Sequence, residues 1–124
     1  MSYWTQVIGI IEYDGDYTKF YEKRLKESSP RGSEGGLDIT VNEYNYFGIV
    51  AVSGALRDFV DKESLFEWWK TLHAKGGVRD SILRIEVQDC SGQVDIYSTN
   101  GYTWEDEDEY PTYHFDHIVQ DLNE

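Results

Sequence analysis

The stretch from Val60 to Gly76, reading VDKESLFEWWKTLHAKG, constrains the fold more than any other part of the chain. Asp61 is placed to accept a bond from an orphan N–H of a helix start, Val60 to staple onto Leu65, and Gly76 to supply a left-handed stop. Leu65, Trp68, Trp69 and Leu72 recur at i, i+3, i+4 and i+7, whereas Glu67, Lys70 and Thr71 face away. Two indoles and two leucines on one stripe must be buried. An amphipathic helix of this kind needs a partner surface, and the β-rich segments on either side are the candidates.

Those segments are readable in order. Tyr3 to Tyr13 is rich in aromatic and β-branched residues and ends in Asp14-Gly15, which predicts a strand closed by a turn. Tyr17, Phe20, Tyr21 and Leu25 then follow helical spacing with Asp16 at the cap position, until Ser28-Ser29-Pro30 stops the pattern. Leu37, Ile39 and Val41 alternate with polar residues and predict a half-buried second strand over 37–44. Asn45 turns the chain into a third strand over 46–56 with a nearly continuous apolar centre. After the central helix, a fourth strand is expected over 81–90 and, beyond Ser91-Gly92, a fifth over 94–97. The order β-α-β-β-α-β-β predicts an α+β fold: a ferredoxin-like βαββαβ sandwich, mostly antiparallel, with two helices on one face and one added edge strand.

Charge divides the chain. Of 24 acidic residues against 11 Lys and Arg, 8 acids and no base fall in residues 102–124, so most of the net charge of −13 sits in the last fifth. We therefore expect an α+β domain over 1–101 and an acidic, aromatic segment over 102–124 that docks in part. Phe115, Ile118, Val119 and Leu122 in that segment suit a short helix. An acidic balance argues against nucleic acid or anionic lipid as a direct partner, because phosphate contacts need clustered Lys and Arg. A basic protein or nucleoprotein complex suits it better. A single Cys90 excludes an internal disulfide framework and a polythiolate zinc site. With neither a basic-then-apolar leader nor an apolar run of the roughly 20 residues that cross a bilayer, a cytoplasmic protein is expected, with no membrane association.

Three stretches are candidates for chemistry. Glu105, Asp106, Glu107, Asp108 and Glu109 form an acidic run flanked by Trp104, Tyr110 and Tyr113. An extended chain rises about 3.3 Å per residue and a DNA strand carries one phosphate per about 3.4 Å, so the run either mimics nucleic-acid charge for a basic partner or is a solvated face. It lacks the spaced acids and glycine of a calcium loop. Arg31, Gly32, Ser33, Glu34, Gly35 and Gly36 form a glycine-rich loop that either cradles an anion on backbone N–H groups or is a plain connection. It matches no phosphate-binding fingerprint. His114 and His117, three apart, would share a face only if helical, and no third ligand completes a metal site. No nucleophile, base and orienting group converge in sequence, so neither an enzyme, a cofactor nor a metal is expected.

Met1-Ser2-Tyr3-Trp4-Thr5, Pro30-Arg31-Gly32-Ser33-Glu34-Gly35-Gly36-Leu37 and Gly54-Ala55-Leu56-Arg57-Asp58-Phe59 resemble a group of small proteins from phages and bacterial mobile elements over about residues 1 to 98. The resemblance implies a context and no residue roles. Small acidic phage proteins are often inhibitors of host defence, anti-CRISPR and anti-restriction proteins among them, some of which imitate DNA. The leading expectation is accordingly an inhibitor of this type, monomeric or homodimeric, that blocks the DNA or RNA site of a basic host protein. The alternatives are a protein that binds or sequesters a nucleotide signal and a toxin-immunity partner.

Overall fold

The computed structural model describes residues 3–59, 61–88, 92–105 and 109–122. Eight elements follow one another: β1 (Trp4–Asp14), α1 (Tyr17–Ser28), β2 (Asp38–Glu43), β3 (Phe47–Arg57), α2 (Lys62–Thr71), β4 (Val78–Val87), β5 (Gln93–Thr103) and β6 (Thr112–Asp121). The strands form one six-stranded sheet in the order β2-β3-β1-β4-β5-β6. Every neighbouring pair is antiparallel. The fold class is thus α+β, as the sequence predicts.

The central helix starts where its cap chemistry requires. Ser64 N–H donates to Asp61 Oδ1 at 3.0 Å, and Ser64 Oγ donates to Asp61 O at 3.1 Å. Val60, the expected staple, lies outside the described residues. Regular α-helix ends at Thr71, five residues before Gly76, because the chain tightens into i→i+3 bonds from Leu72 N to Trp69 O, His73 N to Lys70 O and Gly76 N to His73 O. Leu65, Trp68, Trp69 and Leu72 are all buried.

One face of the sheet receives both helices. Val7, Gly9, Ile11 and Tyr13 of β1 point to that face and are buried, alternating with residues that point to the other. Trp69 lies flat enough on β1 that a Cβ at Gly9 would sit 2.5 Å from its ring, so only glycine admits the indole. The α1 contact is narrower than the sequence stripe suggests. Thr18, Tyr21 and Leu25 are buried, but Tyr17 and Phe20 are exposed. Asp16 stands at the N-cap position without making a side-chain cap bond.

The C-terminal segment corrects the sequence reading. The expected short helix around Phe115 and Ile118 is instead strand β6, hydrogen-bonded to a β5 that runs to Thr103 and so crosses the boundary expected at residue 101. The physical reason is a two-residue period: Tyr113 and Phe115 pack against the core, and His117 stacks on Tyr97 with ring centroids 4.2 Å apart. Two strands rather than one therefore follow β4 in the sheet. No helix among the described residues is long and apolar enough to cross a membrane.

Candidate functional site

Antiparallel pairing brings four connections to one end of the sheet: the β1–α1 turn, the β2–β3 turn, the α2–β4 loop and the β5–β6 connection. The first three are bound to one another through their backbones. Asp14 N donates to Gly77 O at 2.7 Å and Gly15 N to Tyr46 O at 2.9 Å. Gly77, at φ +76°, has no room for a Cβ because the Tyr17 ring fills that space.

Buried tyrosines act as struts beneath these loops. Tyr13 OH donates to Leu72 O at 2.8 Å, and Tyr21 OH donates to Gly76 O at 3.0 Å while accepting from Lys75 N at 2.8 Å. Tyr113 OH donates to Val78 O at 3.1 Å and accepts from Val78 N at 3.0 Å, tying β6 to the first residue of β4. Burial, reinforced by the neighbouring phenols, pushes the Tyr13 hydroxyl well above its ordinary range, and burial also raises the Tyr21 and Tyr113 hydroxyls. All three therefore stay protonated donors.

On this frame the chain displays aromatic rings. Tyr17, Tyr44, Tyr46, Tyr102, Trp104 and Tyr110 are exposed, Trp104 by 60%. Asp14, Tyr17, Gly77, Trp104, Glu109 and Tyr110 line one cleft, and a second, lined by Lys70, Glu109, Tyr110 and Phe115, shares Tyr113 with it. The carboxylates of Glu12, Asp14, Asp16, Glu105 and Glu109 belong to the same end. Arg79 is held there by Asp14 and, at 3.4 Å, by Glu12. Lys75 Nζ lies 4.4 Å from the Tyr110 ring centroid, a cation–π contact made within the chain.

The structure thus gathers Trp104, Glu105, Glu109, Tyr110 and Tyr113 at one end, although Tyr113 is a strut rather than an open ring. Asp106, Glu107 and Asp108 lie outside the described residues, as does Cys90. Sequence reasoning missed Tyr17, Tyr46 and Gly77, which come from connections far apart in the chain.

The glycine-rich loop sits at the opposite end, against the last residues of β3. Gly32 N donates to Gly35 O at 3.0 Å and Ser33 N to Arg57 O at 2.9 Å, so two N–H groups that an anion would need already have carbonyl partners. Arg31 pairs with Gly36 in an isolated bridge, and Glu34 binds Arg57. A loop whose N–H groups are bonded internally makes a poor anion cradle.

Compared with known proteins, the chain matches no family model, no curated protein and no solved structure.

Two further polar groups hold elements together. His73 Nδ1 lies 2.8 Å from Trp69 O, and Nε2 lies 2.7 Å from Ser81 Oγ. A carbonyl only accepts, so Nδ1 carries the proton and Nε2 accepts from the serine. Desolvation lowers the His73 pKa to about 4 against a smaller opposing contribution from the Trp69 hydrogen bond. The pair has the reach of a base and a nucleophile, but Ser81 is only 3% exposed, beneath α2, so the contact fastens α2 to β4. Asp95, buried on β5, accepts from Lys62 Nζ at 2.9 Å and His117 Nε2 at 2.8 Å. Burial would raise its pKa, but those two hydrogen bonds prevail and hold it below the ordinary carboxylate value. His114 instead meets Thr103 Oγ1 at 3.0 Å. Three residues apart on a strand, His114 and His117 point to opposite faces and share no metal. Among the described residues no group of three or more ligand side chains is placed to hold a metal ion.

Proposed function

We propose that this protein is an inhibitor-type binding module, of the phage anti-defence kind, whose acidic aromatic end occupies a basic nucleic-acid-binding surface of a host protein. The observation that carries the reading is the convergence of exposed Tyr17, Tyr46, Tyr102, Trp104 and Tyr110, from three of the four connections, on the end that bears Glu105 and Glu109. Interfaces draw their energy from buried aromatic anchors, and charge steers approach and selects the partner's sign. Tyr and Trp offer large contact area with few rotatable bonds, as in antibody paratopes. Carboxylates beside them suit the Lys and Arg that a partner uses to hold phosphates. We read β1 to β4 with their two helices as a ferredoxin-like core, supported by the β2-β3-β1-β4 order, to which β5 and β6 add the acidic connection. A nucleotide binder would draw on the glycine-rich loop, whose internal bonds weigh against it.

The test is retention from bacterial lysate on the immobilised protein, on a version with 105–109 changed to Gln and Asn, and on Trp104→Ala. Salt-sensitive capture of a nucleic-acid-binding protein by the unaltered chain alone is the expected result. Capture that ignores both ionic strength and the substitutions would sink the proposal.

A further inference from the structure

The face of the sheet opposite the helices has no covering layer among the described elements, and a group of isoleucines stands exposed among its polar residues. Ile8, Ile10 and Ile82 on the central strands are 50%, 47% and 47% exposed, and Ile118 on β6 is 53% exposed. Strand register makes these one surface. Ile10 pairs with Ile82 on one side and Ala51 on the other, and Arg84 links Ile8 to Ile96, which pairs with Ile118. Single exposed isoleucines are ordinary, but a contiguous apolar patch on an antiparallel sheet marks an interface.

We propose that this face binds a second copy of the chain, sheet against sheet, with the twofold axis crossing the strands at the Ile10–Ile82 row. The proposal goes beyond the inhibitor reading and does not depend on it. Size is the first argument. Strands of up to 11 residues in a six-stranded sheet give a face about 35 Å by about 24 Å, roughly 800 Å², from the usual rise and strand spacing. A standard interface buries about 800 Å² on each partner.

Charge fixes the axis. Arg84, held by Glu86 of the same strand at 3.3 Å, lies two residues from Ile82 on one side of that row, and Asp80, paired with Glu12, lies two residues away on the other. A twofold across the strands reverses each strand over its copy, setting Arg84 of one protomer opposite Asp80 of the other, Ile8 opposite Glu12, and Ile82 opposite Ile82. An axis along the strands would instead place the two acidic ends side by side, where like charges repel. With the crossing axis these ends point in opposite directions, so each dimer presents two separate binding ends.

Sedimentation equilibrium of the full chain across the micromolar range tests this. The expected mass is twice 14.5 kDa, with self-association weakened at least tenfold in Ile10→Glu and in Ile82→Glu while thermal melting stays cooperative. In a Cys90→Ser background, Ile82→Cys should be joined to its own copy by a short bismaleimide, and cysteine placed instead at Asp38 should not. The second assay decides if either glutamate variant misfolds. A chain that stays monomeric, or a dimer that survives both glutamate substitutions without the Ile82→Cys cross-link, overturns the proposal.

Discussion

His73 is a histidine held neutral by its surroundings, and its cost appears as a pH dependence of stability. The unfolded chain takes up its proton near 6.5, whereas the folded chain does so only near 4. Stability is therefore full above the unfolded value and falls as pH drops through the window between the two, by about 3 kcal/mol at its foot from this group alone. Urea denaturation at steps across that window should show the loss, and His73→Leu combined with Ser81→Ala should flatten it. An unchanged slope in the double variant would assign the dependence to other groups. Gly9 makes a different demand. Gly9→Ala places a methyl against the Trp69 ring and should destabilise by about 1–3 kcal/mol, as overpacked cores do. Adding Trp69→Phe should recover part of that loss, and additive effects in the cycle would show that the two positions are not in contact.

Among the elements, α2 starts on a side-chain cap, so Asp61→Ala should cost about 1 kcal/mol in chemical denaturation through the lost bond to Ser64 N–H. This helix is the most legible part of the sequence, because cap and stripe follow from local chemistry, although its regular part ends at Thr71 and not at Gly76. The strand β6 is not so legible, since Phe115, Ile118, Val119 and Leu122 fit a helical spacing while Tyr113, Phe115, His117 and Val119 fit an alternating one. The choice is made by β5, whose free edge offers a ladder of backbone partners that no local pattern reveals. The same holds for the site. Trp104 and Tyr110 could be picked out because they flank the acids, but Tyr17 and Tyr46 join them only through Asp14 N to Gly77 O and Gly15 N to Tyr46 O, bonds between distant connections. Even α1 shows the limit: periodicity offered Tyr17 and Phe20 to the core, and both are exposed.

For the molecule as a whole, carboxylates and aromatic rings should contribute to different parts of binding. Neutralising 105–109 should lower the association rate and its salt dependence, whereas Trp104→Ala should mainly speed dissociation, at a loss of about 2 kcal/mol if it is an anchor. Kinetics on a captured partner would separate the two, and equal effects on both rates from both changes would contradict the division. The strand order has its own consequence for how the chain reaches this state. The first strand to leave the ribosome is the third in the sheet, and its Ile10 waits for Ala51 and then for Ile82. Until β4 emerges, one edge of this central strand has nothing to pair with, so late-closing, distant contacts govern the folding rate. A nascent chain halted after α2 should therefore be digested readily by protease, and one extended past β4 should resist.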